Sequence, residues 1–265
     1  MLNQLSTSLQ ETVREVPFNS FGKILLADGQ EYPRQLGGNC VLQNRALTDK
    51  LAAANITELQ YITAQEKPHW VSLARDDGFS QGDTFMMDPF ILHDEPLNIS
   101  KAMRDGELIQ DVHPLHVPNG VPSKVRAVKT ADQVMEVQLH APRPNNPSST
   151  KHVMTYTYHL DGEHHAELPP VNYQVLAGLR QKMIELGVLR PSGRVSRVYL
   201  NPENGDMNML HVGEKKIARH KSKADFDRDL AEIAGEFRLS LEELLGILDR
   251  GKEAYLKRMA AQKAA

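Results

Sequence analysis

A single cysteine, Cys40, stands in this chain of 265 residues, beside a single tryptophan and an aromatic content of only 6%. One thiol excludes an intramolecular disulfide framework and a Cys-rich zinc cluster. No apolar run approaches the ~20 residues that span a bilayer. Met1 to Gln10 lacks the basic start and apolar core of a signal peptide, so the expectation is a cytoplasmic protein whose thiol stays reduced. Neither sign of charge dominates: 31 Lys and Arg against 34 Asp and Glu leave a net charge of −3. That balance argues against nucleic acid or an anionic membrane as the main partner. A dinucleotide fingerprint, a P-loop, internal repeats and low-complexity tracts are all missing. What is there is a globular composition, 40% hydrophobic and 25% charged, in a chain long enough for a sizeable core.

The lone cysteine sits in Gly37-Gly38-Asn39-Cys40-Val41-Leu42-Gln43-Asn44. A glycine pair leads in, and Val41, Leu42, Leu47, Leu51 and Ala54 recur at roughly helical spacing, with Asn39 as the cap candidate. A thiol at a helix start meets backbone N–H groups without intrahelical partners, which favours the thiolate and lowers its pKa from the ~8.5 of free cysteine. The alternative is a buried and inert thiol.

Further along, His69-Trp70-Val71-Ser72-Leu73-Ala74-Arg75 alternates like a strand, Asp76 to Gly82 forms a polar turn, and Thr84 to Asp88 returns. A hairpin centred on Gly78 and Phe79 makes Val71 face Met86 and His69 face Asp88. Directly opposed side chains have Cβ atoms ~4.5–5.5 Å apart, within reach of an imidazole–carboxylate bond. Nucleophile, base and orienting acid then fall in one line. Pro89 suits the strand end.

In the rest of the chain, Leu2 to Val13 reads as a short helix and residues 16–36 as loop with a short strand around Lys23 to Ala27. The Cys40 helix ends before Asn55, and Leu59 to Thr63 is a strand. Residues 89–122, with little periodicity, read as a long loop. Strands follow at Lys124 to Lys129, Val134 to His140 and His152 to Leu160, the last two separated by the turn-rich Ala141 to Pro147. Asn172 to Gly187 reads as a helix stopped by Gly187. Strands at Val195 to Leu200 and Met207 to Val212 flank an Asn-Gly turn, with a third at Lys215 to Ala218. Helices at Lys223 to Phe237 and Leu241 to Ala260, the second capped by Ser240, close the chain. The stripe of Leu241, Leu244, Leu245, Leu248 and Tyr255 needs burial against the domain or against a second subunit. Three regions result: 1–58 with the nucleophile, 59–170 with the histidine and aspartate, and 171–265.

Other constellations carry less. His113, His116, His164 and His165 could ligate a metal, but Pro114 breaks helical spacing and no second cluster sits at ligand intervals. Surface or loop histidines are the simpler reading, and no metal is expected. Met86, Met87, Met207 and Met209 could line an acyl pocket or fill an ordinary core.

The pattern Gly-Gly-x-Cys-x-x-x-Asn, then a histidine starting a strand and an aspartate ending the next, resembles the arylamine N-acetyltransferases and their amide-synthase relatives. Val16 to Phe21 is similar to that family's Ile-Pro-Phe-Glu-Asn-Leu segment, and Lys223 to Leu239 is similar to its last helix. The resemblance implies an α+β fold: a cysteine-protease-like helix, an antiparallel β-barrel or sheet core, a C-terminal α/β lid region and an extra C-terminal helix. It implies Cys40 as the acyl-accepting nucleophile, His69 as base and Asp88 as orienter, with Gly38, Asn44, Trp70 and Phe90 contacting substrate. It implies no bound cofactor, an acyl-coenzyme A or acyl-carrier thioester as co-substrate, and an amine as acceptor. Three departures stand out: Leu36 replaces the family's arginine, Val41-Leu42 replaces Phe-Glu, and Pro89-Phe90-Ile91-Leu92 replaces its glycine-bearing loop near the coenzyme A phosphates. The last either favours a longer acyl group, because Pro89 removes a backbone donor and the bulky residues stand where glycine N–H groups would meet phosphate, or simply packs Phe90 to Leu92 into the core behind the triad. A cysteine amidase or thioester hydrolase on the same triad is the alternative, and a non-catalytic binding protein with an inert thiol is another.

Overall fold

Apolar side chains recurring at successive helical turns place Leu5, Leu9 and Val13 on one face of the first helix, and in the computed structural model all three are buried. The structure describes every residue except 66–68, 77–81, 92, 114–121, 144–145, 171–183, 194, 202–203, 213–217, 220–221 and 265. The described residues form six α-helices: α1 (Leu2–Glu15), α2 (Ser20–Ala27), α3 (Cys40–Ala53), α4 (Ile99–Asp105), α5 (Lys223–Glu236) and α6 (Leu241–Ala264). Their strands are β1 (Phe18–Asn19), β2 (Leu59–Thr63), β3 (Trp70–Asp76), β4 (Asp83–Met87), β5 (Leu97–Asn98), β6 (Glu107–Val112) and β7 (Ser123–Ala131). The series continues with β8 (Val134–Arg143), β9 (Asn146–His159), β10 (Glu185–Leu189), β11 (Val195–Leu200), β12 (Met207–Val212) and β13 (Ala218–Arg219). They make three sheets, ordered β2-β3-β4-β5, β6-β7-β8-β9 and β1-β10-β11-β12-β13, and the protein is of mixed α+β class.

The chain forms two compact units: Met1–Glu15, Cys40–Pro169 and Val212–Lys216 make one, and Val16–Asn39, Pro170–His211 and Ile217–Ala265 make the other. Residues 40–58 join the strands because α3 lays its buried face, Val41, Gln43, Asn44, Leu47 and Leu51, against β3.

In the first unit α1 packs on α3, and Lys50 bonds Glu11 at 3.2 Å and Glu15 at 2.7 Å across them. Residues 89–122, expected to be loop, contain β5, α4 and β6. The signal overlooked there is a cap: Asn98 Oδ1 accepts from the Lys101 N–H at 2.8 Å and starts a short helix. The turn-rich stretch after His140 is likewise mostly ladder, since β8 runs on through Pro142 to an Arg143–Asn146 pair. Irregular register at Pro142 accommodates the missing donor.

In the second unit residues 20–27 form a helix, not the expected strand. Asn19 Oδ1 caps it from the Gly22 N–H at 3.0 Å, and Phe21, Ile24 and Leu25 bury at helical spacing. Of the helix expected over Asn172 to Gly187, residues 172–183 lie outside the described residues. The remainder is strand: Ile184, Leu186 and Val188 alternate into the core, and Gly187 pairs with Phe18 and Arg197. Part of the strand expected at Lys215 to Ala218 also falls outside, and β13 begins at Ala218. Ser240 caps α6 reciprocally, accepting from the Glu243 N–H at 3.1 Å while its own N–H donates to Glu243 Oε2 at 2.7 Å. Leu244, Leu248 and Tyr255 are buried in this unit's core with Phe21, Ile24 and Leu25, and Leu241 and Leu245 pack partly buried against it. Fully burying one such side chain is worth about 1.5–3 kcal/mol.

Gly37, just ahead of the helix of Cys40, takes φ 70° and ψ −147°, a region open only to glycine, and a Cβ there would lie 1.9 Å from the Pro17 carbonyl oxygen. Gly29 has a similar φ of 72° with nothing within 4 Å of a Cβ. Gly29→Ala should therefore cost about 1–2 kcal/mol in urea unfolding, the left-handed penalty alone. Gly37→Ala should cost clearly more, and equal costs would show that the Pro17 carbonyl moves freely.

Candidate active site

The approach to Cys40 is fixed inside the second unit. The Tyr32 hydroxyl donates to the Gly37 carbonyl at 2.5 Å, the Gly38 N–H donates to Pro17 O at 3.1 Å, and the Gly38 carbonyl accepts from the Asn19 N–H at 2.8 Å. Gly38 therefore uses both backbone groups in the strap, and Asn39 is buried. Two residues after Gly38, Cys40 opens α3 in the first unit, and the residue as a whole is partly exposed.

One turn later Asn44 joins this helix to β3. Its Nδ2 donates to the carbonyls of Cys40 and Trp70, both at 2.8 Å, and its Oδ1 accepts from Ser72 Oγ at 2.6 Å. Asn44 is fully buried. Expected as a substrate contact, Asn44 uses its amide to hold α3 against β3.

The β3–β4 hairpin differs in register from expectation. Ser72 pairs with Met87 and Leu73 with Met86, two residues displaced from a Val71–Met86 pair. Asp76, expected in the turn, still pairs, with Asp83, and so moves the ladder. An even displacement leaves every side chain on its face. His69 and Asp88 therefore still meet, not as an opposed pair but beyond the ends of β3 and β4: His69 Nε2 donates to Asp88 Oδ2 at 2.7 Å. The other oxygen, Oδ1, accepts from the Phe90 N–H at 3.1 Å, and both His69 and Asp88 are buried.

His69 also hydrogen-bonds the Cys40 thiol, and the Trp70 backbone N–H reaches the same sulfur. Burial pushes the thiol up, but the charge and hydrogen bond of His69, with the Trp70 N–H, outweigh it and hold Cys40 below the usual thiol range. For His69 burial works downward, and the negative charges of Asp88 and Cys40 overcome it, raising the imidazole to about 10. Each group favours the charged form of the other: His69 is imidazolium near neutrality, and its charge favours the thiolate of Cys40. Cys40 is also the first residue of a 14-residue helix, whose positive dipole end adds to this.

Aromatic side chains pack around His69. Tyr156 of β9 stacks on His69 with centroids 4.2 Å apart and planes at 18°, and Phe90 meets the same ring edge-on at 5.2 Å. Trp70 lies against His165 at 5.0 Å. Phe90, Trp70 and Tyr156 are each partly exposed. Pro89 and Ile91, expected beside Phe90 as an apolar wall, are buried in a short 3-10 turn, and Leu92 lies outside the described residues. Tyr156 was not singled out in the sequence, where it is one alternating residue of a strand. His93 was also missed. It is buried, and its Nε2 accepts the Asp88 backbone N–H at 2.6 Å, which puts its proton on an Nδ1 with no partner among the described residues.

The other sequence candidates lie elsewhere. His113 pairs with Asp94 at 2.6 Å and His164 bonds Gln60 at 2.6 Å, while His116 is outside the described residues. Among the described residues no group of three or more His, Cys, Asp or Glu is placed to hold a metal. Met86, Met87 and Met209 are core. A cavity of about 580 Å³ lined by Leu2, Phe85, Asn98, Lys101 and Ile109 includes none of the triad. No described helix is long and apolar enough to cross a membrane.

Burial pushes His93 down to about 4, against the opposing charges of Asp88 and Asp94. The unfolded chain, titrating near ~6.5, binds the extra proton first as pH falls. The stability from a neutral His93 is therefore complete above pH ~6.5 and is lost toward pH ~4, about 3 kcal/mol in all. Urea unfolding across that window should show a steep loss in the wild type and a shallower one in His93→Gln. Parallel curves would mean that His93 titrates normally in the folded protein.

No protein-family model matches the chain, and no curated protein is similar to it in sequence.

Proposed function

We propose that the protein is a cysteine-dependent acyltransferase that forms an acyl-thioester on Cys40 and passes the acyl group to an amine, in the manner of the arylamine N-acetyltransferases. The observation that carries this reading is the unbroken chain from a partly exposed Cys40 through His69 to a buried Asp88. In the first half-reaction the Cys40 thiolate attacks the donor thioester carbonyl, and the tetrahedral intermediate collapses by expelling the donor thiolate, which takes the proton held by His69. In the second the amine attacks the acyl-enzyme carbonyl and yields a proton to the now neutral His69. The C–S bond breaks, Cys40 returns as thiolate and the amide leaves. Asp88 stays ionised throughout, holding the imidazole and favouring its charged form.

The fold that goes with this reading is a cysteine-protease-like helix on an antiparallel barrel, in a cytoplasmic protein whose reducing surroundings keep Cys40 usable. The donor is a longer acyl thioester, on coenzyme A or a carrier protein. Phe90 supports this by offering apolar surface beside His69, in a segment whose Pro89 has no N–H to give a phosphate.

Intact-protein mass spectrometry after incubation with acetyl and longer acyl thioesters should show an acyl increment on Cys40, faster with the longer chains, that persists until amine is added. Decay at the same rate without amine would make the enzyme a hydrolase, and a clear preference for acetyl-coenzyme A would remove the proposed donor. Cys40→Ala and His69→Ala should abolish turnover with the fold intact, and Asp88→Asn should lower it by a factor on the order of 10⁴ through the wrong imidazole tautomer. Near-wild-type turnover by Cys40→Ala would sink the mechanism. The rate should fall on the alkaline side as His69 loses its proton near pH 10.

A further inference from the structure

We propose that Tyr156 is a positioning residue: its ring, stacked on His69, holds the imidazolium by a cation–π contact and so keeps Cys40 in the thiolate form. This rests on Cys40 being the nucleophile proposed above. Among the described residues two aromatic rings pack on His69, and one of them is stacked on it. Phe90 lies at 60° to the imidazole, an edge contact, whereas Tyr156 lies at 18° with centroids 4.2 Å apart. The face of a phenol ring carries negative potential, and it attracts an imidazolium more strongly than a neutral imidazole.

The backbone is arranged to deliver that face. Tyr156 pairs with Val137 on β8, and the Thr157 carbonyl accepts from the Gln65 N–H at 2.9 Å, tying β9 to the segment that leads into β3. Tyr158, on the same side of β9, is buried and anchors the strand. The titratable groups around His69 are Cys40 from α3, Asp88 after β4 and Tyr156 itself, with His93 behind Asp88, bonded to its backbone, and Asp94 beside His93. Burial, then the charges of Asp88 and Cys40, push the Tyr156 phenol up, so it stays neutral while the pair beside it is charged. The neutral ring adds to the ion pair without competing for its proton. Contacts of this kind favour the charged form about 2- to 30-fold.

The test is ultraviolet titration of the Cys40 thiolate, taken as the difference from Cys40→Ala, with iodoacetamide alkylation at neutral pH as a second readout. Wild type and Tyr156→Phe should share one midpoint, because phenylalanine keeps the π face. Tyr156→Leu and Tyr156→Met, folded by circular dichroism, should titrate about half a pH unit or more higher and alkylate several-fold more slowly at neutral pH. A merely structural role would change stability and leave the midpoint of the folded protein alone, so unchanged midpoints in the leucine and methionine variants overturn the proposal. An equal shift in Tyr156→Phe also overturns it, since the hydroxyl would then be the active group. If neither apolar variant folds, the wild-type NMR spectrum decides: His69 ring protons moved upfield by the tyrosine ring current, with imidazolium shifts at neutral pH, support the stack, and unshifted protons exclude it. A wild type with no thiolate near neutrality instead removes the nucleophile reading itself, which separates that failure from this one.

Discussion

The site depends on one side-chain amide. Asn44 joins the carbonyl of Cys40 to that of Trp70 and takes the Ser72 hydroxyl on its remaining oxygen, so α3 and β3 share a buried connector. Each such bond contributes only about 1 kcal/mol net, yet a buried partner left unsatisfied costs about 1–3 kcal/mol. The asymmetry makes the arrangement hard to loosen by degrees. Thr48 extends it, bonding the Asn44 carbonyl at 2.8 Å and the Tyr61 hydroxyl at 2.7 Å, which carries the connection from α3 to β2.

Charge can be held in so buried a place because it comes as a chain. An isolated imidazolium at the exposure of His69 would lose its proton to the cost of desolvation. Asp88 and Cys40 on its two sides reverse that, and the low polarity of the surroundings strengthens both interactions. The carboxylate is in turn steadied by the Phe90 N–H. His93, kept neutral, fixes the Asp88 backbone without placing another charge next to the pair.

Hydrogen-bond geometry alone does not make such a site. The second unit holds a chain of similar form, in which Ser196 Oγ lies 3.0 Å from His211 Nδ1 and His211 Nε2 lies 2.7 Å from Asp229. Ser196 is completely buried, so its hydroxyl has no approach for a substrate, and the chain ties β11 and β12 to α5. Cys40 differs by being partly exposed at the start of a helix. Access and a helix terminus set the Cys40 chain apart from this buried one.

What could be read from the sequence was local. The spacing after Cys40 showed its helix, alternation showed β2, β3, β4, β7, β8, β11 and β12, and the order Cys40, His69, Asp88 named the residues that do meet. Strand register was missed by two residues and the side chains still met, because period-two alternation is indifferent to an even shift. Other misses also have physical causes. The helix at residues 20–27 and α4 each hang on one asparagine cap, a weak signal inside segments rich in loop-forming residues. Gly187 looked like a helix stop, although the core takes Ile184, Leu186 and Val188 in strand alternation. Tertiary structure alone decided that Asn44 would be a connector, that His93 would stand behind Asp88 and that Tyr156 would cover His69. No short-range pattern encodes these, because each is a contact between segments distant along the chain or on opposite sides of a turn, and the pairing of whole sheets sets which faces meet.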